Sequence, residues 1–293
     1  MRNLIRVLGL LLSIGGMSAN AQPTTVSAVR SVGNGPVTWV LVSGLMGSVV
    51  GFHALESALC QDGSRVITID PYLLSIDSAD VSFAALARRV NVVLGTLGVQ
   101  HARLVGHANG AGVVLRVAAL APDRVTSLFL LDAGGLASGR GKVFGRSLQL
   151  VPLIARIPGG RAYLRAKFVA GIRENTTHQE WFDEAAQHAY IDPILDGIGP
   201  AAALAVRVGA ATEPEALSML VSRVRAPVTV ILGGAPHPSE AGSEELNALG
   251  PLGARLEVVR LSGVGHFPHE EATALVTQHL RRRANVAVAG VIR

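Results

Sequence analysis

The chain has 293 residues, 49% of them hydrophobic and 16% charged, and its 26 basic against 21 acidic residues give a formal net charge of +5. That length and apolar content suffice for one large core with a substantial insertion, and the single cysteine, Cys60, excludes an internal disulfide. The basic balance is nearly all arginine and lacks interleaved aromatics, which argues against nucleic acid as a partner; the Arg281-Arg282-Arg283 run reads as a solvated helix end.

Residues 1–21 read as a secretory signal peptide. Arg2 and Arg6 form the charged start, Val7 to Ile14 the apolar stretch, and Ala19-Asn20-Ala21 the cleavage site. The expectation is therefore a protein secreted or carried to the periplasm, and beyond residue 21 no uninterrupted apolar run is long enough for a stable membrane span.

In chain order, Val37 to Ser43 is a β-branched run that reads as a buried strand feeding the glycine-containing loop Ser43-Gly44-Leu45-Met46-Gly47. Phe52 to Leu59 reads as a helix and Arg65 to Asp70 as a second strand closed by Pro71. Phe83, Leu86, Ala87, Val90, Val93, Leu94 and Leu97 recur every three or four residues, the period of an amphipathic helix that Gly98 ends. The strand His101 to Val105 then enters Gly106-His107-Ala108-Asn109-Gly110, a sharp turn followed by helix formers to Leu120, and Ser127 to Asp132 is the next buried strand. Strands and helices alternating over short connections predict a mostly parallel sheet covered on both faces.

The middle of the chain loses the strand pattern. Helices are expected around Val143 to Ile154, Gly160 to Arg173 and His178 to Tyr190, with glycine and proline punctuation between them. The sheet resumes at Ala226 to Gly234 and ends with Arg255 to Leu261, followed by Gly263-Val264-Gly265-His266.

The run from Phe83 to Asp132 with its central elbow, together with the Gly-x-Gly-His loop, resembles the α/β-hydrolase superfamily of esterase-like and lipase-like enzymes from about Val37 to Arg283, excluding the middle. The resemblance implies an α/β-hydrolase fold with a helical lid insertion. It divides the chain into a signal peptide (1–21), a first core part (22–134), the lid (135–222) and a second core part (223–293). It also implies that position 108 is the nucleophile position, that His266 is the base, and that the backbone N–H groups of Leu45 and Asn109 form the oxyanion hole. The elbow residue, however, is Ala108, which has no nucleophilic atom. The usual acid position, three residues past the glycine of its strand, holds Pro236; Glu240, Glu244 and Glu245 are out of register, and Asp132 is the candidate acid, set against a plain strand-end turn residue. His266, His269 and Glu270 match no metal motif, and His269 reads as a surface residue.

No cofactor and no metal is expected, and the expected partner is a small apolar or ester-like molecule; no feature specifies an oligomer. Covalent hydrolysis through position 108 is excluded by chemistry, so hydrolysis is expected to be weak or absent. Three readings remain open: a working enzyme whose serine has been replaced by alanine, a protein in which His266 acts as base without a nucleophile in lyase-like or oxygenase-like fashion, and a pseudoenzyme that binds a ligand or partner without chemistry.

Overall fold

The computed structural model describes residues 27–137 and 146–291. The expected signal segment and the start of the helix expected from Val143 lie outside these residues.

The chain opens with β1 (Val29–Val32), β2 (Thr38–Val42), α1 (His53–Cys60), β3 (Arg65–Ile69) and α2 (Phe83–Thr96), and continues through β4 (Ala102–His107), α3 (Asn109–Leu120) and β5 (Val125–Leu131). Five helices follow: α4 (Val151–Ile154), α5 (Gly160–Glu174), α6 (Glu184–Asp196), α7 (Ile198–Ala210) and α8 (Leu217–Val221). The chain then returns through β6 (Val228–Gly233), α9 (Ser243–Asn247), β7 (Leu256–Leu261), α10 (Pro268–Glu271) and α11 (Thr273–Val291).

The seven strands form one sheet in the order β1-β3-β2-β4-β5-β6-β7. All neighbours are parallel except the antiparallel edge pair β1 and β3. Helices cover both faces, as a parallel sheet with crossover connections requires. On one face Leu86, Val90, Val113 and Val117 of α2 and α3 pack with Val40, Leu104 and Leu128. On the other, Leu55 and Leu59 of α1 and Val276 and Leu280 of α11 pack with Leu41, Val105 and Phe129. The alternation of Val40 and Leu41, and of Leu104 and Val105, between the two cores is the period of two of an extended strand. β6 is buried along its whole length and apolar except for Thr229, whereas the edge strand β7 has an intermediate-to-exposed pattern ending on buried Leu261.

From β2 the chain steps outward to β3 and then crosses back to place β4 on the other side of β2. This reversal opens a crevice at the carboxyl ends of β2 and β4, the place where open parallel sheets offer room for a ligand. The loop after β2 and the elbow after β4 face that crevice.

Helix placement departs from the sequence expectation in the middle of the chain. The helix expected from His178 begins at Glu184, because Asp183 caps it by accepting from the Ala186 N–H at 2.8 Å. α7 was hidden by its Gly199-Pro200 pair, which falls in the first turn, where a proline's missing N–H leaves no bond unmade. Of the segment expected from Val143, the described part is a 3₁₀ turn, Arg146–Leu150, followed by α4. α5 and α6 have their own small core of Leu164, Phe182, Tyr190, Ile191 and Leu195. The short edge strand β1 carried no periodic signal.

One buried ion pair ties this insertion to the sheet domain. Arg116 of α3 reaches Glu213, just after α7, with Nε 2.9 Å from Oε2. Its guanidinium also donates to the carbonyls of Leu136 and Ala137 at 3.0 and 3.2 Å. Glu213 in turn accepts the Phe83 and Ala84 N–H groups at the start of α2, which supply partners that a helix N-terminus otherwise lacks.

Among the described residues no single helix is long and apolar enough to cross a membrane; α6 and α7 together reach that length but are bent by 86°.

Candidate active site

The elbow is built by close backbone approach. A Cβ on Gly106 would lie 2.4 Å from the Gly110 carbonyl oxygen, and one on Gly110 would lie 2.3 Å from the Val42 carbonyl oxygen. Only glycine lets β4, α3 and β2 meet this closely. Between them Ala108 adopts φ 50° and ψ −123°, a conformation that costs a non-glycine residue about 1–3 kcal/mol and persists only where its surroundings impose it. Its N–H is held by the Leu131 carbonyl at 3.0 Å. Met46, Ser48, Ala108 and Asp132 are the non-glycine positive-φ residues among those described. All four follow the carboxyl ends of β2, β4 or β5, so backbone strain is concentrated around the crevice.

The loop after β2 lies against the elbow: a Cβ on Gly44 would be 3.2 Å from the Ala108 Cβ and 3.6 Å from the Asn109 amide nitrogen. The loop that carries Leu45 thus lies against the start of α3 at Asn109, the end of a helix whose dipole favours negative charge.

Asp132 follows β5 directly and is fully buried. Its Oδ1 accepts the Gly233 N–H at 3.0 Å, and its Oδ2 accepts the His266 Nδ1–H at 2.6 Å. Burial opposes its ionisation, but His237 and His266 outweigh that effect and hold the carboxyl down at about 2. Asp132 thus orients the histidine and also binds backbone, the role of a strand-end turn residue. Glu240 pairs with Arg260 at 3.3 Å and Glu245 accepts the Gly135 N–H at 3.0 Å, so both serve other contacts.

His266 is brought beside the elbow by its own loop. The His107 Nε2–H donates to the His266 carbonyl at 2.8 Å, and the two rings are 4.7 Å apart. Glu271 braces the loop by accepting the Gly265 and Phe267 N–H groups, and it reaches into the insertion to accept those of Thr177 and His178. Burial and the neighbouring His266 push His107 down to about 3, leaving it a neutral donor.

Two histidines were not assigned these positions from sequence. His269, expected on the surface, is 2% exposed. It stacks on Phe52 and His107, and burial with the nearby His107 and His266 lowers its basicity well below the ordinary range. The one-turn helix α10 directs it inward. His237 has a side chain 1% exposed, with Nε2 3.4 Å from Asp132 Oδ2; burial works against its protonation, but the Asp132 carboxylate prevails and raises it. Its only sequence signal was its place one residue after Pro236, beside the usual acid register. Donor atoms of Asp132, His237 and His266 lie within 4.8 Å of one another, which makes these three the group able to hold a metal ion among the described residues.

A cavity of about 170 Å³ adjoins the site, lined by Leu45, Tyr72 and Leu73 from the sheet domain and by Tyr190, Ile194 and Leu204 from the insertion. The Tyr190 hydroxyl donates to Glu270 at 2.8 Å, joining α6 to α10.

Comparison with known proteins agrees with the fold. Residues 39–168 match the model of a family described as alpha/beta hydrolase fold. Residues of the chain are 30% identical to an sn-1-specific diacylglycerol lipase of Mus musculus, over 42% of this chain and 42% of that protein. They are 33% identical to a putative carbamate hydrolase of Variovorax paradoxus, over 44% of this chain and 48% of that protein. The chain thus spans about half the length of the curated relatives it matches. Among solved structures, a putative lipase from Acinetobacter baumannii superposes with a TM-score of 0.67 at 20% identity, over 91% of each chain. A thermophilic esterase from Thermogutta terrifontis superposes with a TM-score of 0.65 at 18% identity, over 90% of this chain and 96% of that one. The chain has the α/β-hydrolase fold.

Proposed function

We propose that this chain is a hydrolase-superfamily protein that binds a small ester-like or apolar molecule and has lost covalent acyl transfer, leaving weak chemistry through His266. The observation that carries this reading is the 2.6 Å bond from His266 Nδ1–H to the buried Asp132 carboxylate, kept intact beside an elbow whose central residue is alanine. In a covalent hydrolase, loss of the nucleophile alone lowers turnover about a million-fold. What remains is a base with a fixed tautomer and two backbone donors.

In the water-based route, His266 Nε2 takes a proton from a water molecule as its oxygen bonds to the ester carbonyl carbon. The N–H groups of Leu45 and Asn109 receive the resulting oxyanion; its collapse breaks the bond to the alcohol oxygen, which takes the proton back from Nε2. The insertion, with Tyr190 and Leu204 on the cavity, is assigned the part of a lid over the ligand. The N-terminal signal pattern supports export. Pure ligand binding without chemistry is the second reading, favoured by the mainly apolar cavity beside the strained loop.

The test is a paired assay of the native chain and Ala108→Ser on short p-nitrophenyl esters, with chelator present. Ala108→Ser is expected to exceed the native rate at least a hundredfold, and His266→Ala to abolish what the native chain retains. If Ala108→Ser gains nothing and His266→Ala changes nothing, the general-base reading fails. Saturable ligand binding that is indifferent to His266→Ala then supports the second.

A further inference from the structure

We propose that Asp132, His237 and His266 form a binding site for a divalent cation of the zinc class, with Asp132 Oδ2, His237 Nε2 and His266 Nδ1 as its ligands.

The donor set is two imidazoles and one carboxylate, which suits zinc and its neighbours and leaves a fourth position for water. Ligand atoms about 2.0–2.1 Å from a tetrahedral ion stand roughly 3.3 Å apart. Asp132 Oδ2 and His237 Nε2 are already 3.4 Å apart, and all three donor atoms lie within 4.8 Å of one another. The Oδ2 to Nδ1 distance must open from 2.6 Å for an ion to enter.

His237 supplies the independent argument. Its side chain is 1% exposed and its Nε2 faces Asp132 Oδ2 at 3.4 Å, while its Nδ1 makes no hydrogen bond. Buried imidazole nitrogens ordinarily find partners, because leaving them unpaired forfeits their hydration. Here Nε2 is aimed at a carboxylate oxygen, and a cation between them takes the place of the proton that otherwise bridges the pair.

The surroundings hold the ligands in place. The Gly233 N–H fixes the other oxygen of Asp132 at 3.0 Å, His107 fixes the His266 carbonyl, and the His237 carbonyl accepts the Glu240 N–H at 3.2 Å. Such supporting bonds orient metal ligands and raise affinity.

Ion binding requires the neutral His266 ring to carry its single proton on Nε2, so that the Nδ1 lone pair faces the ion; that ring loses no net proton, whereas a His237 ring protonated on Nε2 releases that proton to solvent. That ring then has no lone pair toward the elbow. Ion occupancy and the base role of His266 therefore exclude each other, whereas the ion site itself requires no reaction at the elbow.

The experiment is titration of the chelator-stripped full chain with Zn²⁺ by calorimetry and with Co²⁺ by visible absorption, with no substrate present. Saturable binding of one ion per chain is expected. His237→Gln and Asp132→Asn are expected to weaken it at least tenfold, and the exposed, remote His101→Gln to leave it unchanged. Absence of saturable binding, or native affinity in His237→Gln, overturns the proposal. Should His237→Gln fail to fold, ¹⁵N spectra of the native chain decide: Zn²⁺ is expected to shift His237 Nε2 and His266 Nδ1, and unshifted resonances overturn the site. The ester assay, run in chelator, is read separately.

Discussion

The His266 Nδ1–H donates to Asp132 Oδ2 across 2.6 Å, joining two loops 134 residues apart in the chain. The bond fixes which imidazole nitrogen faces the elbow, so its value to catalysis is one of tautomer and orientation. In the Ala108→Ser background, Asp132→Asn is expected to lower kcat for p-nitrophenyl esters by about 10²–10⁴, with an unchanged near-ultraviolet spectrum showing that the fold persists.

The same carboxylate sets an acid limit on stability. Its pKa falls from 3.8 to about 2 on folding, so its contribution is present above the unfolded value and is lost as pH falls between the two. The loss is about 2 kcal/mol. Urea denaturation of the native chain at descending pH is expected to show this decline, and Asp132→Asn to flatten it.

Glycine at the elbow is a steric requirement. Gly110→Ala would drive a methyl group to within 2.3 Å of the Val42 carbonyl oxygen. The expected result is destabilisation of about 1–3 kcal/mol, from forced separation of α3 and β2, read as a lowered Tm. In the Ala108→Ser background, ester turnover is lost with it.

Much of this was legible in the sequence. The strand, elbow, helix and strand from His101 to Asp132 are encoded locally, by β-branched runs and by glycines that nothing else can replace. Asp132 could be nominated because it ends a strand, and the structure brings it to His266. The pairing of His237 with Asp132 was not legible: it depends on where the loop after β6 folds back, and no local pattern records that. His269 was misread for the same kind of reason, since a histidine followed by two glutamates looks solvated until the turn of α10 points it at Phe52.

Glu270 gives the junction between insertion and sheet domain its own pH response. Burial, partly offset by the Tyr190 hydroxyl, raises its pKa from 4.5 to about 7. The fold therefore favours the neutral acid; that stabilisation is complete below the unfolded value and is lost as pH rises through the folded one. Between pH 5 and 8 the native chain is expected to lose about 2–3 kcal/mol relative to Glu270→Gln, measured as diverging urea midpoints.

Arg116 bonds the carbonyls of Leu136 and Ala137, where the chain leaves the sheet for the insertion, and also Glu213, where it comes back. Departure and return are thus stapled to one side chain on the helix that begins at the elbow. Among the described residues, both ends of the insertion are therefore anchored to that one helix. A shift at either of those ends is felt first by α3, the helix behind position 108.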